Sequence, residues 1–275
     1  MSTESKIASY YKREGLKETI LQAVMKTAHD SDHLTAGDFA AVDEFHVGGL
    51  EATRQLATRM ELRPGLRLLD VGSGIGGPAR YFAEEHGCKL TGIDLTEEFV
   101  EVAKSLTGAV KLDRLAEFQQ ASALSLPFEP GTFDGAYMIH AGMNIADKAG
   151  VCREVRRVLK PDGLFTVYDL VRVGDGTIRY PVPWALDEET SFLGEVKDYR
   201  DALAGAGFRV VQERSRKEFA IEFIQRTMAS VSQTGPPVLG LQLLMGDKTQ
   251  TMIANVLAMM REGVLEPIEL FARAM

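Results

Sequence analysis

The segment Asp70-Val-Gly72-Ser-Gly74-Ile-Gly76-Gly77 constrains this chain more than any other. It stands between a short apolar run, Leu66–Val71, and a helical pattern from Pro78 to Glu85. A strand that enters a glycine-rich bend and leaves it as a helix is the start of a βα unit. Glycine turns the backbone sharply and admits a ligand close to it. A glycine triple used only as a turn would leave no matching pattern downstream, and here the pattern continues. Lys89–Asp94 reads as a second strand, and Glu97–Ser105 as a helix with Thr96 as N-cap and Glu97 and Glu98 in its first turn. Ala116–Gln120 is a weak third strand and Phe133–Ile139 a fourth. Ala149–Leu159 is a helix stopped by Pro161 and Gly163, and Leu164–Asp169 is a fifth strand. Such alternation predicts a parallel sheet covered on both faces.

The flanks differ. Residues 1–30 read as helical, with Tyr10, Leu16, Ile20 and Val24 near helical spacing, and Thr27–Asp38 reads as a break. Gly48 and Gly49 precede a helix carrying Leu50, Thr53, Leu56, Ala57 and Met60, which ends at Pro64 and Gly65. Beyond residue 170 come a short helix, Asp198–Ala206, and a sixth strand, Phe208–Glu213. Residues 218–262 are mainly helical and hold Met228, Met245, Met252, Met259 and Met260, which at that spacing read first as core. Leu265–Ala274 closes the chain as a strand, with Ile268, Leu270 and Ala272 alternating against Glu269, Phe271 and Arg273; Pro267 suits an edge. The expected architecture is α/β, a Rossmann-like seven-stranded, mostly parallel sheet with N-terminal helices and a helical cap inserted before the last strand. The expected divisions are 1–62 (helical lid), 63–217 with 264–275 (nucleoside-binding domain) and 218–263 (cap).

The glycine segment fits two cofactors. Gly72, Gly74 and Gly77 satisfy the dinucleotide pattern G-x-G-x-x-G. Gly72, Gly74 and Gly76, preceded by Asp70, satisfy an acidic G-x-G-x-G loop. Asp94, at the end of the second strand, can receive ribose hydroxyls of either ligand. Asp70 separates them. A pyrophosphate bound at the bend and helix N-terminus would be repelled by a carboxylate two residues before the first glycine. S-adenosylmethionine carries an ammonium and a sulfonium and no phosphate, so the acid favours it; its carboxylate could take N–H groups of the glycine turn.

Composition narrows the partners. The chain has 275 residues and a formal charge of -8, and no run of Lys or Arg exceeds two. That balance argues against nucleic acid or anionic lipid as the main partner. No stretch approaches the length of about 18 apolar residues that spans a bilayer, and residues 1–6 resemble no secretory leader. Two cysteines, Cys88 and Cys152, read as reduced thiols of a cytoplasmic protein. The five histidines show no metal-ligand spacing. Arg156, Arg157 and Lys160 read as a solvated helix face. Oligomeric state is left open.

Residues 68–77, Thr91-Gly-Ile-Asp-Leu95, Leu126-Pro-Phe-Glu-Pro-Gly-Thr-Phe-Asp134 and Glu154-Val-Arg-Arg-Val-Leu-Lys-Pro-Asp-Gly163 together resemble the class I S-adenosylmethionine-dependent methyltransferases. Within them the chain is similar to the ubiquinone/menaquinone-biosynthesis type and to sarcosine/dimethylglycine methyltransferases; Phe45-His-Val-Gly-Gly49 resembles the front lid of the amine-methylating members. The resemblance covers about residues 45–170. It implies a seven-stranded sheet with the last strand antiparallel, cofactor contacts from Asp70, Gly72, Gly74 and Gly76, ribose contact from Asp94, and adenine packing by Leu95. One position departs from the family: many relatives carry an Asp where Ser122 stands, so the Ala123 backbone becomes the firmer adenine contact.

Methyl transfer from a sulfonium is an in-line displacement that needs alignment and exclusion of water, and for some acceptors a base. His140, following the fourth strand at the carboxyl edge of the sheet, is the candidate base, or a wall of the cofactor site. His46, in the predicted lid, and Tyr180 and Trp184, in the loop Tyr180-Pro-Val-Pro-Trp184, are candidate acceptor contacts. Tyr10 and Tyr11 could place an aromatic face against the sulfonium. The expected function is methylation of nitrogen or oxygen on a small molecule. C-methylation of a quinol or natural product, nicotinamide-dependent oxidoreduction, and a cofactor-binding module without catalysis are the alternatives.

Overall fold

In the computed structural model, which describes residues 2–275, three short helices precede the lid turn. Helix α1 (Thr3–Tyr11) is capped by the Ser2 hydroxyl, which accepts from the Ser5 N–H. Gly15, at φ 70°, breaks it from α2 (Leu16–Thr27). Helix α3 (Ala36–Asp43) begins inside the segment expected to be a break. Its signal was Thr35-x-x-Asp38, a capping box whose side chains bond each other's backbone N–H. Helix α4 (Gly49–Ala57) follows the Gly48–Gly49 bend.

Strand β1 (Arg67–Val71), α5 (Gly77–His86), β2 (Lys89–Asp94), α6 (Glu97–Ala109), β3 (Ala116–Gln120), β4 (Phe133–Ile139), α7 (Lys148–Val158) and β5 (Leu159–Arg172) supply the alternating core. After them come α8 (Val196–Gly205), β6 (Phe208–Ser215), the helices α9 (Lys217–Thr234), α10 (Gln242–Met245) and α11 (Thr249–Arg261), and β7 (Leu265–Ala274). The sheet has seven strands in the order β3-β2-β1-β4-β5-β7-β6. Only β7 runs antiparallel to its neighbours. Helices α7 and α8 cover one face around Val155, Val158, Tyr199 and Leu203. The other face is covered by α4, α5 and α6 through Leu56, Phe82, Val100 and Ala103. Cys88 and Cys152 are buried on opposite faces and unpaired.

Three expectations are corrected. First, β5 starts at Leu159, so Pro161 and Gly163 lie within it, where its pairing with β4 shifts register between Phe133 and Gly135. Second, β7 is an interior strand, between β5 and β6. Its alternation therefore does not divide core from solvent: Glu269 and Phe271 are as buried as Leu270. Pro267 is tolerated because its carbonyl faces Arg216, where β6 has already ended and its missing N–H faces the same way. Third, Arg157 is not a solvated cation. It donates to the Leu126 and Phe128 carbonyls and to Glu154, and so fixes the loop before β4. Lys160 lies on β5 and pairs with Asp134 at 2.6 Å.

Helix α3 ends packed against the start of α5. A Cβ at Gly77 would overlap the Asp43 carbonyl oxygen, so only glycine fits. Beside it the buried Arg80 guanidinium donates to Asp43 Oδ2 at 2.7 Å and to the Ile75 carbonyl at 2.6 Å. Gly77→Ala is expected to lose about 1–3 kcal/mol of stability in urea unfolding. Gly205→Ala, in α8 with open space around the added carbon, should leave stability unchanged or raise it by up to about 1 kcal/mol. Equal effects of the two would refute this packing.

Candidate functional site

The chain winds outward from β1 through β2 to β3 and then returns to begin β4, so the winding reverses between β1 and β4. Open α/β sheets bind ligands at this point, beyond the carboxyl ends of the strands. Asp70, Asp94 and His140 stand there, at or just beyond the ends of β1, β2 and β4. A first cavity opens above them. Asp70, Gly72, Gly74, Asp94, Leu95, Ser122, Ala123 and His140, all expected from the sequence, line it. Gly76 stands outside. It is at φ 84°, and a Cβ there would meet the Phe118 ring at 2.6 Å, so its role is to let the bend close onto β3.

The bend keeps four of its backbone donors occupied. The N–H groups of Gly72 and Ser73 donate to the Ile93 carbonyl at 2.9 and 2.8 Å, and that of Gly76 to the Ser73 carbonyl at 2.9 Å. The N–H of Gly74 donates to Asp94 Oδ2 at 2.9 Å. Donors spent in this way are closed to a phosphate, while those of Ile75 and Gly77 have no such partner among the described residues.

Beneath the bend, Asp70 pairs in register with Tyr137 of β4, which puts both side chains on one face. The Tyr137 hydroxyl donates to Asp70 Oδ2 at 2.9 Å. No cation touches this carboxyl, and burial pushes it up to about 8 against the help of Tyr137. Asp94 is also raised by burial, although it accepts from the backbone of Gly74 and Thr96. The first cavity is lined by four carboxyl side chains, Glu4, Asp43, Asp70 and Asp94, and by no Lys or Arg among the described residues. Arg80 answers Asp43 from behind; the other three are free to meet a positive ligand.

Glu4 was not anticipated. The Ser122 hydroxyl donates to Glu4 Oε1 at 2.6 Å and accepts from the Leu124 N–H at 3.1 Å. The negative charge missing from position 122 is thus brought by α1, over a sequence separation that no local pattern reveals. Asp43 and Phe45 of the cavity wall were also missed, because α3 was not read as a helix.

A second cavity adjoins the first, lined by Val47, Met143, Leu170, Trp184, Ile224 and Val256 among others. It has no acidic or basic side chain other than His46 and His140. Tyr11, Phe45, His46 and His140 line both cavities and so mark their junction. Trp184 lines this second cavity, its indole N–H donating to Ser191 Oγ at 2.9 Å. Tyr180 lines neither cavity; it packs on the outside of the cap core. Tyr10 is likewise turned away, its hydroxyl donating to the Pro183 carbonyl at 3.1 Å. Tyr11 reaches the junction and donates to Asn144 Oδ1 at 2.8 Å. Of the five cap methionines, Met245 lines the second cavity, and Met252, Met259 and Met260 are core.

His140 adopts the left-handed conformation, φ 49°, as the chain leaves β4, and its N–H donates to the Tyr168 carbonyl at 2.7 Å. Its ring lies 4.9 Å from Tyr168 and 5.9 Å from His46. Burial holds its pKa well below the usual histidine value, and Nε2 is enclosed without a partner. His46 is pulled down to about 4, again by burial. Both rings are therefore neutral at physiological pH.

Residues 69–167 match the family described as a methyltransferase domain. The chain is 40% identical over 164 residues to a sterol 24-C-methyltransferase of Schizosaccharomyces pombe, covering 58% of this chain and 43% of that protein. It is 31% identical over 186 residues to a phosphoethanolamine N-methyltransferase of Triticum aestivum, covering 68% and 36%. The chain thus spans less than half the length of these two relatives. In structure it superposes on geranyl diphosphate C-methyltransferase from Streptomyces coelicolor with a TM-score of 0.74, at 14% identity, covering 100% of this chain and 99% of that one. A strand–glycine bend–helix over a buried acid, in a 3-2-1-4-5-7-6 sheet whose central residues match that domain, places this chain among the class I S-adenosylmethionine-dependent methyltransferases.

Proposed function

We propose that this protein transfers a methyl group from S-adenosylmethionine to an apolar small molecule, at an oxygen or carbon atom held in the second cavity. One observation carries the reading: an acidic cavity and an uncharged, apolar one share a wall made of Tyr11, Phe45, His46 and His140. A cationic donor suits the first, and an apolar acceptor suits the second.

The first cavity fits the donor by charge. Asp70 is the partner for its positive charge under the bend, with Gly72 and Gly74 allowing close approach. Asp94 is the partner for the ribose, as an acid at the end of the second strand. Leu95, Ser122 and Ala123 then flank the base, and Glu4 adds an acceptor for its amino group. Once bound, the donor supplies a methyl carbon on a positively charged sulfur. The protein's part is to align the two ligands and exclude water at the junction. His140 serves as a neutral wall: a protonated ring beside a sulfonium would repel it.

The second cavity bears on the acceptor. A protonated amine entering it would meet no carboxylate, so N-methylation has less support than O- or C-methylation. The sterol and geranyl enzymes named above act on largely hydrocarbon skeletons, which agrees with these walls. The diphosphate of the latter substrate would find no Lys or Arg lining the second cavity. A nicotinamide dinucleotide has the opposite charge to the one the first cavity favours.

Calorimetry should show S-adenosylmethionine binding and no heat from NADH; heat from NADH alone would overturn the reading. With labelled donor, phenols, sterols and terpene alkenes should be methylated in preference to small amines, and turnover restricted to amines would overturn the choice of acceptor. Asp70 is neutral below about pH 8, and a positive ligand favours its ionised form. Donor binding should therefore release a proton below that pH and tighten as pH rises toward it, then level off. Asp70→Asn should weaken donor binding by about 10- to 100-fold, the worth of a hydrogen bond to a charged group, and reduce the proton release. Donor affinity that is flat with pH and equal in the variant would remove Asp70 from the site.

A further inference from the structure

The lid turn holds a second buried acid that the methyl-transfer reading has not used. Glu44 follows α3, His46 lies two residues on, and Gly48 and Gly49, at φ 93° and 48°, bend the chain into α4. That bend brings Thr53 of α4 back over the turn. The Thr53 hydroxyl lies 2.6 Å from Glu44 Oε2 and 3.2 Å from His46 Nε2. His46 Nε2 is 3.6 Å from the same Glu44 oxygen. All three side chains are buried. The His46 ring also lines both cavities, so the row Glu44–Thr53–His46 runs from the protein interior to the junction.

A hydroxyl has one hydrogen to give. When Glu44 is ionised, Thr53 donates to it, and His46 must donate Nε2–H to the Thr53 oxygen. The other ring nitrogen, Nδ1, then carries a lone pair, with the Gly49 backbone within hydrogen-bonding reach of the ring. When Glu44 is protonated, every donor reverses: the carboxyl donates to Thr53, Thr53 donates to Nε2, and the ring proton sits on Nδ1. The same three atoms support both arrangements, and they differ by one proton entering at Nδ1 and one leaving at Nε2.

We infer that Glu44, Thr53 and His46 form a proton relay that removes the acceptor's proton during methyl transfer; this role rests on the proposed function. The acceptor's O–H or C–H bond breaks, and an electron pair of the acceptor forms the new bond to the methyl carbon. The carbon–sulfur bond breaks with its pair remaining on sulfur. The proton passes to His46 Nδ1, the Nε2 proton to Thr53, and the Thr53 proton to Glu44. His46 ends neutral, and Glu44 ends protonated.

A structural hydrogen-bond cluster would not need an acid at position 44. A buried carboxylate without a cationic partner is costly, and glutamine would fill the same space uncharged. Arg80, the nearest guanidinium, bonds Asp43. Burial and then the Asp43 charge push the Glu44 carboxyl up to about 8, while Thr53 and Arg80 oppose them and Asp70 adds to them. Tyr81 and Tyr137, the other titratable groups near Glu44, are held neutral by burial. His46, pulled down to about 4, does not retain the proton, and neither does His140 beside it.

The test is nitrogen-15 NMR of histidine-labelled full-length protein bound to S-adenosylhomocysteine, from about pH 6 to about pH 10. His46 should switch from Nδ1–H to Nε2–H as pH rises through the Glu44 titration, and stay uncharged throughout. In the sinefungin complex, whose amine adds a positive charge at the methyl position, the midpoint should shift to lower pH. Glu44→Gln and Thr53→Val should each abolish the switch and change S-adenosylhomocysteine affinity by less than about threefold, under about 1 kcal/mol. A tautomer fixed across the range, a switch that survives Glu44→Gln, or an ordinary His46 protonation would overturn the relay. Failure of the wild-type protein to bind S-adenosylhomocysteine at all would instead overturn the proposed function.

Discussion

A carboxyl group buried without a cation, under a glycine bend most of whose N–H groups are already bonded, is the constraint on which the site is built. Asp70 is held by one hydrogen bond from Tyr137, and register between β1 and β4 brings the two together. A buried acid in that state is costly, and a positive ligand over it lowers the cost. The bend contributes in the opposite sense to a phosphate loop. The N–H groups of Gly72, Ser73, Gly74 and Gly76 close on Ile93, Asp94 and Ser73, so close approach is available with few donors left for an anion.

The N-terminal helices complete what the sheet begins. Helix α1 brings Glu4 to Ser122 and Tyr11 to Asn144. Lys6 pairs with Glu189 across its outer side. Helix α3 is anchored by Arg80 and the glycine contact at residue 77. The turn after it carries Phe45 and His46 into the junction, with Glu44 buried behind them. Each cavity therefore has walls from both the lid and the sheet domain, and the shared wall is chiefly lid. The elements that line the first cavity are in this way among those that line the second.

Opposite polarity in adjoining cavities gives direction to the chemistry. Acidic walls draw a cation into the first, and apolar walls exclude charge and water from the second. Neutral His46 and His140 separate them without adding charge of their own. Where two polar rings must face an apolar space, a hydrogen-bonded partner behind one of them keeps its burial tolerable. Thr53 has that position behind His46.

Periodicity and the glycine segment were enough to read the alternating core, the cofactor type and the strand-end residues of the first cavity. Asp70, Gly72, Gly74, Asp94 and Leu95 sit within or just beyond strand ends, where local pattern dictates geometry. The short strand-like and helical stretches of β1 to β5 carried that pattern because both faces of a parallel sheet are buried. The sequence could not show that β7 lies inside the sheet, since strand order depends on pairing across the whole chain. Glu269 therefore read as solvent-facing, although it is buried against Arg216 at 2.6 Å. Nor could it show that Glu4 meets Ser122, that Tyr180 turns away while Trp184 turns in, or that Thr53 stands behind His46. These are contacts between elements far apart in the chain or across a bend, and only the packed structure decides which side chains of such elements meet.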